Sequence, residues 1–114
     1  MTKKIFHDHK DEEKRRKRTI CVIQDNGVAY IGIATCSSED QYVKKIGRMI
    51  AEQRATSIYE ARHSDIRDLI QTDSQFSINI ESEVVRNIVS HKFDIPFFML
   101  ELDAQLLDDD DIPF

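Results

Sequence analysis

The chain reads as an α+β protein: a small antiparallel sheet starting with a β-hairpin and packed against two or three helices. A basic N-terminal arm, residues 1–18, precedes a single domain over residues 19–103, and an acidic tail, residues 104–114, follows it. Three observations predict this. Residues 19–25 and 28–36 read as two strands joined by Asn26-Gly27. Apolar residues then recur at helical spacing in three later stretches. Finally, charge segregates: residues 1–54 hold twelve Lys/Arg against eight Asp/Glu, and residues 55–114 hold four against thirteen.

In chain order, residues 1–18 are too charged to bury much beyond Ile5 and Phe6, so a disordered arm or a short frayed helix is expected. Asn26-Gly27 is the dipeptide of a two-residue type I′ turn, whose two central residues both need positive φ. Such a turn pairs Cys21 with Gly32. It also sends Ile20, Val22, Ile31 and Ile33 to the core. The opposite face carries Cys21, Ile23, Val28, Tyr30, Gly32 and Ala34, which is apolar enough to require a cover: a strand, a second subunit or a ligand.

Ser38 and Gln41 have capping-box spacing and open a helix, with Glu39 and Asp40 in the turn where the helix dipole favours negative charge. Its apolar face is read as Tyr42, Val43, Ile46, Met49 and Ile50, with Lys44, Lys45 and Arg48 opposite. A second helix is expected over residues 57–71, with Ile58, Ala61, Ile66, Leu69 and Ile70 inward. A strand follows at residues 75–80, through Phe76, Ile78 and Ile80. Residues 81–91 predict a third helix through Val84, Val85, Ile88 and Val89, with Ser82 at its cap. Residues 97–102 are either a last strand or a closing helical turn. The helices are expected on one side of the sheet.

At 114 residues, with 40% hydrophobic and 32% charged residues, the chain supports one modest core. It has no apolar run of membrane-span length and no apolar leader segment, which places it in the cytoplasm. Two cysteines, Cys21 and Cys36, make no disulfide framework and read as buried free thiols.

Catalytic chemistry finds little support, and no enzyme, cofactor or metal is expected. His7-Asp8-His9 offers two imidazoles in an unfixed arm, short of a ligand set. His63 and His91 have no evident partner, and Asp65, Asp68 and Asp73 read as a solvated face. The basic residues are more coherent. Lys14, Arg15, Arg16, Lys17 and Arg18 run into the first strand, and the helix adds Lys44, Lys45 and Arg48. Converging on one surface, they would track a phosphate backbone, with Tyr30 stacking a base. The alternative is a solvated basic face with Tyr30 in a dimer interface, and homo-oligomerisation stays open.

The chain closes on Asp108-Asp109-Asp110-Asp111-Ile112-Pro113-Phe114. This stretch resembles the acidic C-terminal tip of bacterial single-stranded DNA-binding (SSB) proteins, a run of Asp followed by Ile-Pro-Phe or Leu-Pro-Phe. The resemblance implies a tip that recruits genome-maintenance enzymes. The physics fits. Phe114 can enter an apolar pocket while its α-carboxylate pairs with a cation at the rim. Pro113 reduces the entropy lost on docking. The aspartates steer the encounter in a salt-sensitive way. The internal Phe93-Asp94-Ile95-Pro96-Phe97 lacks the acidic row and continues into Phe98-Met99-Leu100, so it reads as a loop entering the core. The body does not resemble the SSB barrel, so no DNA-contacting residues carry over from that family.

Residues 27–55 are similar to a hairpin-to-helix pattern of small phage-encoded proteins, in which Ala34, Cys36, Asp40, Gly47, Ala51, Arg54 and Ala55 match. Among these are sponge proteins that sequester cyclic ADP-ribose signals. Here Gly47 is expected to allow close packing of helix on sheet, and Arg54 to face a phosphate or snorkel. Together these features imply a single-stranded-DNA-binding protein of phage or mobile-element origin, acting in a bacterial cytoplasm, whose tip recruits or competes for host genome-maintenance enzymes. The alternatives are an adaptor or inhibitor that binds no DNA and occupies SSB-tip pockets, and a nucleotide-signal sponge.

Overall fold

The computed structural model describes the backbone of residues 1–11, 16–36 and 44–102 and the side chains of 1–7, 17–35 and 45–102. Four strands form one antiparallel sheet in sequential order: β1 (Thr2–Asp11), β2 (Arg16–Asp25), β3 (Val28–Cys36) and β4 (Gln75–Asn79). Between β3 and β4 lie helix α1 (Lys44–Glu60) and a 3-10 turn (Asp65–Asp68). After β4 come helix α2 (Glu83–Phe93) and a second 3-10 turn (Phe97–Met99). The fold is α+β, as the hairpin and the later helical spacing predict.

The β2–β3 hairpin has the expected register, with Cys21 opposite Gly32 and Asp25 opposite Val28. Asn26 and Gly27 close it with φ of 53° and 76°, the left-handed pair of a type I′ turn. Ile20, Val22, Ile31 and Ile33 enter a core with Phe76, Val89, Ile95, Met99 and Leu100. The opposite parity, Cys21, Ile23, Tyr30 and Ala34, is covered by Ala51, Ala55 and Ile58 of α1. The cover that this face requires is therefore the chain's own helix. Helices lie on both faces of the sheet, not on one side.

Several elements differ from the sequence reading. Most of the expected arm is β1, paired with β2 from Thr2↔Gln24 to Asp8↔Arg18, then shifted to Asp11↔Arg16. The charge count hides a period-two pattern here: Ile5 packs toward α1 and Phe6 toward the opposite core. Residues 12–15 lie outside the described set, as do Ser38, Gln41, Tyr42 and Val43 of the expected first helix and its cap.

Helix α1 turns a different face inward. Ile46 and Met49 are 54% and 61% exposed, while Ala51, Ala55 and Ile58 are buried. Gly32 is the reason. A Cβ built there would stand 2.1 Å from the Ala51 carbonyl oxygen and 2.4 Å from the Ala55 nitrogen. Backbone meets backbone, which only small residues allow, so the bulky side chains rotate outward. The close approach expected of Gly47 belongs to Gly32, and Gly47 itself is half-buried.

The expected second helix does not form as one piece. Its first residues extend α1 to Glu60, and Ser64 then starts the short 3-10 turn, its Oγ accepting from the Ile66 amide. Serine bonds the local backbone and competes with helix continuation. Ile66 and Leu69 consequently face outward, Leu69 at 82% exposure. Helix α2 matches more closely. Ser82 caps it, its Oγ accepting from the Val85 amide, and Asp94 ends it with a left-handed φ of 53°. Val84 and Ile88, expected inward, are exposed, and Val89 is the residue of this helix that is fully inside.

Candidate nucleic-acid interface

Topology sets where the basic residues stand. The Tyr59 hydroxyl donates to Asp25 Oδ2 at 2.8 Å, which fixes the end of α1 beside the hairpin turn. From Asp25 back to Arg18 the strand covers about 23 Å. From Tyr59 back to Lys45 the helix covers about 21 Å. The starts of β2 and α1 therefore both lie away from the turn, but Arg18 has the parity of Ile20 and Val22 and faces the α2 side, whereas α1 covers the opposite face. Lys17 and Lys45 are both exposed.

Two members of the predicted set, Arg18 and Arg48, have partners shown by the structure. Arg18 donates from Nη1 to the Phe93 carbonyl at 2.8 Å and from Nη2 to the Asp94 carbonyl, clamping the end of α2. Arg48 Nε donates to Glu52 Oε1 at 2.9 Å, and Lys3 Nζ donates to Glu52 Oε2 at 2.6 Å. These two cations hold the Glu52 carboxyl below its ordinary range, so the carboxylate persists and offsets their charge. Lys14 and Arg15 lie outside the described residues, as does the whole tip, Asp108, Asp109, Asp110, Asp111, Ile112, Pro113 and Phe114.

Tyr30 is not a stacking platform. It is 6% exposed, edge-on to Tyr59 with ring centroids 5.0 Å apart. Burial pushes its phenol upward from 10.0. The Arg62 guanidinium lies 3.9 Å from the Tyr59 ring centre and donates to the Tyr59 carbonyl at 2.7 Å. This Asp25–Tyr30–Tyr59–Arg62 cluster locks α1 to the hairpin. Sequence reasoning missed it because its members meet only through tertiary packing. The Tyr59/Arg62 spacing of i, i+3 was the one available signal.

Arg54, expected to face a phosphate or snorkel, donates to the Ile33 carbonyl and ties helix to sheet. Gln24, also missed, is buried, and its Nε2 donates to the Glu101 carbonyl at 2.7 Å. Cys21 is a buried free thiol whose pKa is pushed up from 9.0 to about 11, first by burial and then by the Glu52 charge. Cys36 ends β3, and its side chain is outside the described set. Nδ1 of His7 is 2.9 Å from Thr19 Oγ1. Among the described residues no three His, Cys, Asp or Glu side chains are grouped to hold a metal ion, and no helix is long and apolar enough to cross a membrane.

The internal Phe-Asp-Ile-Pro-Phe stretch belongs to the core. Phe93 stacks on Phe76 at 4.4 Å, Ile95 is buried, and Ser90 Oγ donates to the Ile95 carbonyl at 2.6 Å. It leads into the 3-10 turn at Phe97–Met99, the closing-turn alternative of the sequence reading.

The described residues give a four-strand antiparallel sheet with a helix on each face. No protein-family model, no characterised protein and no solved structure matches the chain.

Proposed function

We propose that the chain is a small single-stranded-DNA-binding accessory protein whose acidic tip, residues 108–114, docks on enzymes that read the SSB tail. The tip sequence carries this reading: four aspartates followed by Ile-Pro-Phe combine electrostatic steering with an apolar plug. Exposed Lys17 near the start of β2 and Lys45 at the start of α1, both away from the hairpin turn, support the nucleic-acid half. With α1 over one face of the sheet and α2 over the other, contact falls on phosphates at these residues, with no base stacking on the sheet. Binding of this kind is tolerant of sequence and falls steeply with salt.

Fluorescence anisotropy with a labelled dT oligomer tests it. Binding at low salt should weaken in the doubly substituted Lys17→Glu/Lys45→Glu chain. Absence of binding at low salt removes the DNA half. A pull-down from bacterial lysate with intact chain and with Phe114→Ala tests the tip, and partners retained by the variant remove that half.

The ties of Arg18, Arg48 and Lys3, with the net charge of −5, support a second reading in which the protein is a tip-bearing adaptor that binds no DNA. That reading predicts Phe114-dependent capture of partners and no change in dT anisotropy.

A further inference from the structure

Asn26 is exposed at the apex of the β2–β3 turn, and the nitrogen that follows it belongs to Gly27. The chain's other asparagines, Asn79 and Asn87, precede Ile80 and Ile88, whose branched side chains crowd the following nitrogen. Asn79 Oδ1 is also held, accepting from the Glu81 amide at 2.9 Å, and Asn87 lies inside α2. Position 27 is confined to glycine, because its φ is 76° and a Cβ there would stand 2.7 Å from Glu81 Cγ. The fold therefore sets an exposed side-chain amide beside an unhindered backbone nitrogen. Closing a five-membered ring between them needs the Gly27 nitrogen to eclipse Cβ of Asn26. A type I′ turn, with ψ of about +30° at its first central residue, turns that nitrogen away; a type II′ turn, with ψ of about −120°, brings it to the eclipsed position of an L residue. The two turns differ by rotation of the Asn26–Gly27 peptide. Both keep the Asp25↔Val28 pair and the Ile80 amide on the Gly27 carbonyl at 2.9 Å.

We propose that Asn26 is a site of self-modification, at which a flip of the turn peptide lets the Gly27 nitrogen displace the side-chain amide and leaves isoaspartate or aspartate. The Gly27 nitrogen loses its proton to solvent base and bonds to Cγ of Asn26. The Cγ–Nδ2 bond breaks, and ammonia leaves with a proton from solvent. Water then opens the cyclic imide. Opening at Cγ gives aspartate. Opening at the backbone carbonyl gives isoaspartate, with one more carbon in the main chain. The balance is one water consumed and one ammonia released, with no change of oxidation state. Either product places a new carboxylate next to Asp25, whose Oδ2 accepts the Tyr59 hydroxyl that ties α1 to the hairpin. Isoaspartate also lengthens a two-residue turn whose length sets the register of β2 on β3.

Peptide mass mapping of the full chain, incubated at mildly alkaline pH with and without urea, tests this. The peptide holding Asn26 should gain the mass of an amide-to-acid exchange, with isoaspartate identified by fragmentation, while those holding Asn79 and Asn87 stay unchanged. The flipped turn is a minor state of roughly a tenth or less, so the native rate should lie at least about tenfold below the rate in urea. Ile20→Val, which weakens the core away from the turn, should leave the native rate unchanged, because the flip needs no unfolding. The isoaspartyl chain, separated by anion exchange, should have a lower urea midpoint than Asn26→Asp, which carries the charge without the extra carbon. An Asn26 amide that converts in urea and persists in the native chain overturns the proposal. So does conversion of Asn79 or Asn87 at the rate of Asn26, a native rate equal to that in urea, or one that climbs in Ile20→Val. Equal midpoints for the isoaspartyl chain and Asn26→Asp overturn the claimed effect on register.

Discussion

The two faces of the β2–β3 hairpin alternate residue by residue along the same strands, yet they are packed in opposite ways. On the α1 face, Gly32 and Ala34 meet Ala51 and Ala55, and the helix backbone sits directly on the sheet. Polar ties then fix its position: Arg54 to the Ile33 carbonyl, Tyr59 to Asp25 and Lys3 to Glu52. On the α2 face, large aliphatic side chains interlock, among them Ile20, Val22, Ile31, Met99 and Leu100, with Phe76 stacked on Phe93. One face is held by close approach and hydrogen bonds, the other by apolar volume. The first cannot accept an added atom, and the second cannot lose one cheaply.

The largest expected effect breaks the first face. Gly32→Ala places a methyl inside the backbone of α1 and should cost about 4 kcal/mol, the range of gross core strain. Hydrogen exchange should show α1 amides losing protection before those of α2. If the amides of both helices lose protection equally, the faces are not separable.

Next, Leu100→Ala empties part of the opposite core, where Leu100 is fully buried. Lost transfer energy and a residual cavity together should cost about 3 kcal/mol, read from urea unfolding. Refilling with Met should recover most of it, because this face depends on volume.

A smaller effect sharpens the contrast at a helix end. Ser82→Ala removes the cap of α2 and should cost about 1 kcal/mol. α1, anchored along its length by contacts with the sheet, should be unaffected.

Cys21 reports on the tightness of the α1 face through pH. The folded thiol keeps its proton up to about 11, whereas the unfolded one releases it near 9.0. Between these values the folded chain binds more protons, so its stability falls as pH rises through that window and is fully present below it. Burial of the Tyr30 phenol acts in the same direction. In a Cys36→Ser background, the native thiol should resist a thiol reagent at neutral pH and react only on unfolding. The urea midpoint should decline on alkaline titration. A midpoint that rises would contradict the sign.

The smallest effect is expected from Glu52→Gln. Its partners Lys3 and Arg48 are substantially exposed, so the loss should stay below about 1 kcal/mol and shrink with added salt.

Much of this was legible residue by residue. Asn26-Gly27 dictated the turn, the turn dictated the register, and the register assigned the apolar side chains from Ile20 to Ile23 and from Val28 to Ala34 to their faces. Ser82 marked the start of α2. At the candidate interface, the basic groups could be named from sequence, but their partners could not. Arg18 meets Phe93 and Asp94 across 75 and 76 residues, and Lys3 meets Glu52 across 49. The tip motif is legible in sequence alone.

Local chemistry is enough to specify the hairpin, the α2 cap and the assignment of apolar residues to the two faces of the central strands. Tertiary structure decided the rest. It made an edge strand of a segment that reads as a charged arm, because β2 supplies the hydrogen bonds. It turned α1 onto its small residues, because only those let a helix rest on Gly32. It buried Tyr30 under Tyr59, because that face had to be covered by something the local pattern does not name. In each case the deciding force is a contact between residues far apart in the chain, which no spacing along the chain encodes.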